Sequence, residues 1–288
     1  VVDNLVERGI DVVCIDRRAP HGRNRFADHS GTPRTGKFIY LDCAERYQLQ
    51  PVLETCDAVA HLGEIPNIHA GESHQDVFSR NVRTGSTVLQ TCADLGMPRV
   101  VYASTCQVYG LWGDPTPIAP FGPNHLPMTE AQPVRPLNGY ALSKVANESF
   151  ARLMTDLFGM SIACLRMPMV ITRELRREWL GRKRFESAAS LKYHDGVWSY
   201  LDVRDAADAF ACALLKPRRP QPGADFEIYH LTADDVIGTI PLQERLNWPD
   251  FAYLPPLPAD HPPLASLVDC TKAKTELGWQ PKHRWTDD

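Results

Sequence analysis

Tyr140 and Lys144 stand four residues apart, a spacing that places both side chains on one face of a helix. A phenol ionises at about pH 10 and is a poor base near neutrality. An ammonium held beside it stabilises the phenolate. Such a pair can exchange a proton with an alcohol or carbonyl while hydride moves. Ser104 and Thr105 follow directly on the apolar run Arg99–Ala103. Either hydroxyl could orient a substrate oxygen and stabilise its developing charge; capping or loop hydrogen bonding is the alternative use. No G-x-S-x-G turn is present, so a serine-hydrolase arrangement has less support.

A second group of residues could hold a dinucleotide. Asp16 ends the run Ile10–Ile15, where an acidic side chain can accept hydrogen bonds from the adenosine ribose. Its charge would favour NAD over NADP, while Arg17 and Arg18 pull the other way because arginine pairs with phosphate. A turn or cap is the competing role for Asp16. Asp42 ends the run Lys37–Leu41 and could face the adenine amino group or cap the next helix. In His61-Leu62-Gly63-Glu64-Ile65-Pro66, Gly63 lets backbone approach a cofactor, and Glu64 faces either a substrate cleft or solvent. The glycine-rich turn of such folds lies about 20 residues before the acidic residue. It is not among the residues preceding Asp16. Val2, Leu5, Val6 and Gly9 read as a helix end, so the first strand and glycine loop are expected to precede Val1.

These residues need a scaffold. Ile10–Ile15, Lys37–Leu41, Asp57–Leu62, Arg99–Ala103, Ser161–Leu165 and Phe226–Leu231 are short apolar runs without clean polar alternation, which predicts buried strands. Helical spacing over 80–96, 141–158 and 204–216 lies between or after them, with Gly96, Gly159 and Pro217 as stops. Alternating strands and helices predict an α/β fold, a Rossmann-like doubly wound parallel sheet with a small C-terminal substrate lobe. The expected division is a truncated dinucleotide-binding domain over 1–168 and mainly a substrate lobe over 169–288, with 200–231 returning to the first domain.

Bulk composition narrows the classes further. The chain has 288 residues, 43% of them hydrophobic, enough for a sizeable core and too many for a disordered chain. Lys plus Arg number 31 against 35 Asp plus Glu, so charge gives no support to nucleic-acid binding. The eight cysteines are scattered without a CxxC pair, so no metal site is expected; they read as small buried hydrophobes in a reducing cytoplasm. No stretch approaches the roughly 20 apolar residues of a membrane span, and no signal peptide is visible. The 24 prolines concentrate at 115–136 and 252–263.

Several motifs in order resemble the extended short-chain dehydrogenase/reductases, the NAD-dependent epimerase/dehydratase family. They are Asn81-Val82-Arg83-Thr84-Gly85-Ser86-Thr87, the strand and loop from Arg99 through Ser104-Thr105 to Val108-Tyr109-Gly110, Tyr140-Ala141-Leu142-Ser143-Lys144, Leu165-Arg166-Met167-Pro168, Tyr200-Leu201-Asp202-Val203-Arg204-Asp205, and Leu277-Gly278-Trp279-Gln280-Pro281. The resemblance implies NAD as cofactor and a sugar-like small-molecule substrate. Tyr140 would be the acid/base, Lys144 its charge partner and a nicotinamide-ribose contact, and Thr105 the group polarising the substrate oxygen. Asp16 would hold the adenosine ribose and Asp42 the adenine. His61, Leu62 and Gly63 would line the cofactor, with Asn81 and Pro168 also on that side. Glu64 and Arg166 would face substrate with Thr105; Glu64 departs from the family's small apolar residue.

The implied activity is NAD-dependent oxidoreduction of a sugar or sugar-nucleotide hydroxyl, as an epimerase or a dehydrogenase. Cys106 and Gln107 after Thr105 lower the dehydratase reading. A catalytically silent, ligand-binding or regulatory member is the alternative. A homodimer through the helices after 80 and 140 is implied as well. Trp179, Trp198 and Tyr200 could line a substrate cavity or pack in a core; Arg173, Arg176 and Arg177 could meet an anionic substrate or form a solvated helix face.

Overall fold

The computed structural model describes residues 1–18, 36–67, 72–111, 122–181, 185–187, 191, 196–217 and 225–287. Residues 115–121 of the first proline-rich stretch lie outside the described residues.

The strands in chain order are β1 (Val12–Asp16), β2 (Gly36–Tyr40), β3 (Val59–His61), β4 (Arg99–Thr105), β5 (Ser161–Met167), β6 (Met169–Ile171), β7 (Tyr200–Asp202) and β8 (Phe226–His230). The helices are α1 (Val2–Glu7), α2 (Arg46–Leu53), α3 (His74–Asp94), α4 (Gly139–Phe158), α5 (Arg173–Gly181), α6 (Val203–Leu215), α7 (Leu242–Arg245) and α8 (Thr271–Leu277). A parallel sheet runs in the order β3-β4-β5-β8. The parallel pairs β1-β2 and β6-β7 stand beside it as separate ladders. This is a Rossmann-like α/β fold with a C-terminal lobe.

All seven residues of β4 are buried, because helices cover both faces of the sheet. Strand parity then sorts the side chains. Val100, Tyr102, Ile162 and Cys164 point into a core with Leu89 and Cys92 of α3 and Ala151 and Met154 of α4. Val101, Ala103, Ala163 and Leu165 point the other way, toward Ala206, Ala209 and Phe210 of α6 and Leu277 and Trp279 at the chain's end. Tyr102 and Ser104 therefore share the α4 side of the sheet.

Helix boundaries follow their caps. The helix expected from residue 80 starts at His74, because the Ser73 hydroxyl accepts from the Asp76 amide. Asn138 does the same for α4 through the Ala141 amide at 2.7 Å, and Gly159, at φ +66°, closes it. The buried side chains of α4 include Tyr140, Lys144, Asn147, Glu148, Ala151 and Met154, one stripe at helical spacing.

The C-terminal lobe has its own core. Trp179, Phe185, Tyr200 and Trp285 pack ring against ring at 5.3 to 6.3 Å. Trp198 lies over Phe251 at 4.7 Å. Val108, Tyr109, Leu126 and Met128 join this cluster from earlier in the chain. Trp179, Trp198 and Tyr200 are thus core residues, not cavity lining. Arg176 is buried and donates to the Arg284 carbonyl, so α5 is not the solvated arginine face that its sequence suggested; Arg177 alone of 176 and 177 is exposed. Among the described residues no helix is long and apolar enough to cross a membrane.

Candidate active site

Helical spacing brings Tyr140 and Lys144 to the end of β4. The Lys144 ammonium donates to the Ala103 carbonyl at 2.7 Å and lies 5.6 Å from the centre of the Tyr140 ring. Tyr140 is nearly buried, yet its hydroxyl has no hydrogen-bond partner among the described residues.

Lys144 also meets a residue placed elsewhere by sequence. The Glu64 side chain, expected to face substrate or solvent, is buried, with Oε2 2.8 Å from Lys144 Nζ. Tyr102 donates its hydroxyl to the same carboxylate at 2.9 Å. Asn147 Nδ2 and His61 Nε2 reach Glu64 Oε1 at 3.0 and 3.2 Å. The loop turns inward because Asn81 grips it: Oδ1 accepts from the Ile65 amide at 2.8 Å and Nδ2 donates to the Ile65 carbonyl at 3.0 Å. Gly85 makes the room. A Cβ there would meet Asn147 Nδ2 at 2.2 Å and Glu64 Oε1 at 2.6 Å.

Electrostatics agree with an ionised pair. Burial would push the Glu64 carboxyl up, but the Lys144 ammonium and the His61 contact outweigh it and hold the group down at about 2. Burial would likewise lower Lys144; the Glu64 charge, followed by Tyr140 and Glu148, raises it instead. Tyr102 is pushed well up by burial and then by the Glu64 charge, which keeps its phenol a donor.

Thr105 ends β4, and its Oγ1 accepts from the Gln107 amide at 3.2 Å, capping the short 3-10 turn Cys106–Tyr109. Ser104 donates to Glu148 Oε1 at 2.6 Å. Arg166, expected to contact substrate, instead forms a two-pronged ion pair with Glu148 at 2.7 and 2.9 Å and donates to the Tyr109 hydroxyl at 2.6 Å. Its guanidinium is buried because strand parity turns it onto the α4 face beside Ser104, its register partner on β4. Pro168 sits half-buried in the turn between β5 and β6.

An open cavity of about 240 Å³ lies at the strand ends, lined by Asp16, Asp42, Leu62, Gly63, Glu64 and Asn81 among others. Asp16 Oδ1 accepts from the Arg18 amide at 2.8 Å and Asp42 Oδ1 from the Ala44 amide at 2.9 Å. Each carboxylate thus closes a local turn with one oxygen; the other has no hydrogen bond among the described residues. His61 lies beneath this lining, buried against the Tyr102 ring.

Tyr102 and Asn147 are the members of this centre to which the residue pattern assigned no role. A tyrosine inside an apolar strand must find a partner for its hydroxyl, which is the signal that could have pointed to a buried acceptor.

Comparison with known proteins places this geometry in context. The chain is 23% identical to the UDP-glucose 4-epimerase of Lactobacillus helveticus over 312 aligned positions, covering 100% of this chain and 89% of that protein. Its fold matches the UDP-glucose 4-epimerase of Thermotoga maritima solved with UDP-glucose, at a TM-score of 0.66 and 18% identity, over 98% of this chain and 89% of the other. The Bordetella bronchiseptica enzyme WbmG, solved with NAD, matches at a TM-score of 0.65 and 18% identity, over 98% and 84%. The sequence model of the NAD dependent epimerase/dehydratase family matches residues 1–228, and the chain belongs to that family.

Proposed function

We propose that the protein catalyses NAD-dependent oxidoreduction of a sugar or sugar-nucleotide hydroxyl, with an epimerase or dehydrogenase outcome. The observation that carries this reading is the Tyr140 hydroxyl, without a hydrogen-bond partner among the described residues, beside the Lys144 ammonium at the end of the strand that also presents Thr105.

The residues at the cleft suit a dinucleotide. Asp16 at the end of β1 and Asp42 just past β2 each keep one carboxylate oxygen without a hydrogen bond among the described residues, which fits ribose and adenine donors. Gly63 carries no side chain between the cleft floor and a flat ring, and Leu62, 46% exposed, offers apolar cover. When bound there, NAD supplies the hydride acceptor. Tyr140 then takes the hydroxyl proton of the substrate carbinol as its C–H hydride departs. Lys144 holds positive charge beside the Tyr140 phenolate that accepts this proton, and Thr105 donates to the substrate oxygen. Returning the hydride to the opposite face gives the epimer; releasing the carbonyl compound gives the dehydrogenase product.

Exposed Leu142, Leu153, Leu157 and Phe158 on α4 support the homodimer reading, because an uncovered apolar stripe on a helix favours a partner helix. Protein incubated with NAD and a panel of UDP-sugars and free sugars should form NADH, read at 340 nm, or an epimeric product, read by chromatography. Tyr140→Phe should lower the rate by about 100- to 10,000-fold without loss of fold. Neither NAD binding nor turnover across the panel would leave the ligand-binding reading in place of the enzyme.

A further inference from the structure

The proposed chemistry leaves the buried Glu64 carboxylate unused. Its carboxylate collects four side chains from three elements: Lys144 and Asn147 from α4, Tyr102 from β4, and His61 from β3. The backbone is fitted to it as well, since Gly85 is the only residue type whose side chain leaves Oε1 and Asn147 in place. So closely shaped a pocket around a buried acid needs a reason, because burying a charge costs free energy unless its partner returns it.

The groups facing Lys144 narrow that reason. They are Glu64, Tyr140 and Glu148, with Tyr102 and Cys164 from the sheet; His61 lies behind Glu64. Glu148 is committed to Arg166 through both oxygens. Burial keeps Tyr102 and Cys164 neutral. Glu64 is therefore the anion that Lys144 engages directly, at 2.8 Å.

We propose that Glu64 is a positioning residue that sets the working charge of the Tyr140–Lys144 pair. Its carboxylate pins the ammonium against the Ala103 carbonyl and offsets much of the positive field that this ammonium exerts at the Tyr140 hydroxyl. The proposal rests on Tyr140 and Lys144 acting as the acid/base pair. It adds that the field at Tyr140 is moderated by the carboxylate bound to Lys144, so that proton transfer works over a more alkaline range than a bare ammonium would allow.

The test needs neither substrate nor NAD. The 295 nm phenolate absorbance of the wild-type protein minus that of Tyr140→Phe reports ionisation of Tyr140 alone. The same difference taken in Glu64→Gln, which keeps the shape and removes the charge, should move to lower pH by about one unit or more. An unmoved or higher midpoint overturns the proposal, because it would mean that the carboxylate exerts no net restraint on this pair. If Glu64→Gln does not fold, Glu64→Asp withdraws the carboxylate by one methylene and should give a smaller shift of the same sign. Lys144→Met should move the midpoint upward. A shift without turnover on any substrate would refute the proposed oxidoreduction and leave this inference standing; turnover without a shift would do the reverse.

Discussion

Glu64 Oε2 stands 2.8 Å from Lys144 Nζ, with the two side chains 1% and 5% exposed. At such burial the pair is stable only while both members are present, because either charge left alone keeps its desolvation cost. Lys144→Met should therefore lower unfolding free energy by about 3–5 kcal/mol. Adding Glu64→Gln, which removes the unpaired charge and keeps an acceptor for Tyr102, should recover part of that loss. Urea unfolding of the two single variants and the double variant checks it, and additive losses would mean that the pair is not coupled.

Arg166 and Glu148 give a second buried pair, and the prediction separates packing from substrate binding. Arg166→Lys removes the two-pronged geometry and one donor to Tyr109. It should cost about 1–3 kcal/mol of stability while leaving KM within a few-fold. A tenfold rise in KM with unfolding unchanged would return Arg166 to the substrate side.

Gly85 is tested by the smallest possible addition. The Cβ of Gly85→Ala would fall 2.2 Å from Asn147 Nδ2, on a helix packed against α4, so the helices must part or Asn147 must leave. Overpacking of this kind costs about 1–3 kcal/mol. The lower thermal midpoint should be partly restored by Asn147→Ala, which removes the colliding amide.

His230 predicts a pH dependence. Burial, followed by the Arg166 charge, holds its imidazole down at about 3, against an ordinary 6.5. Above 6.5 both the folded and unfolded forms are neutral, and the group contributes nothing. Below it the unfolded chain binds a proton that the folded chain refuses, so stability falls as pH falls. Between pH 7 and pH 5 the loss should be about 2 kcal/mol. Urea unfolding of wild type against His230→Gln at the two pH values isolates this contribution; an equal change in both proteins would assign the slope to other groups.

The elements were legible where a single periodicity governs them. The parity of β4 and the four-residue step from Tyr140 to Lys144 are properties of one strand and one helix, and neighbouring elements do not alter them. Helix starts were less legible, because the caps at Ser73 and Asn138 act on one amide each and leave no periodic trace. Trp179, Trp198 and Tyr200 were ambiguous because an aromatic ring suits a cavity wall and a core equally. Only the packing of the C-terminal lobe distinguished the two uses.

By itself, the sequence determined the α/β alternation, the strand end at Asp16, and the shared helix face of Tyr140 and Lys144. What each charged side chain meets was decided only by the tertiary structure. Glu64 reaches Lys144 across 80 positions of chain because Asn81 turns its loop inward, and Glu148 takes Arg166 away from the cleft. Periodicity fixes direction within an element, whereas the pairing of buried charges depends on which elements are brought face to face.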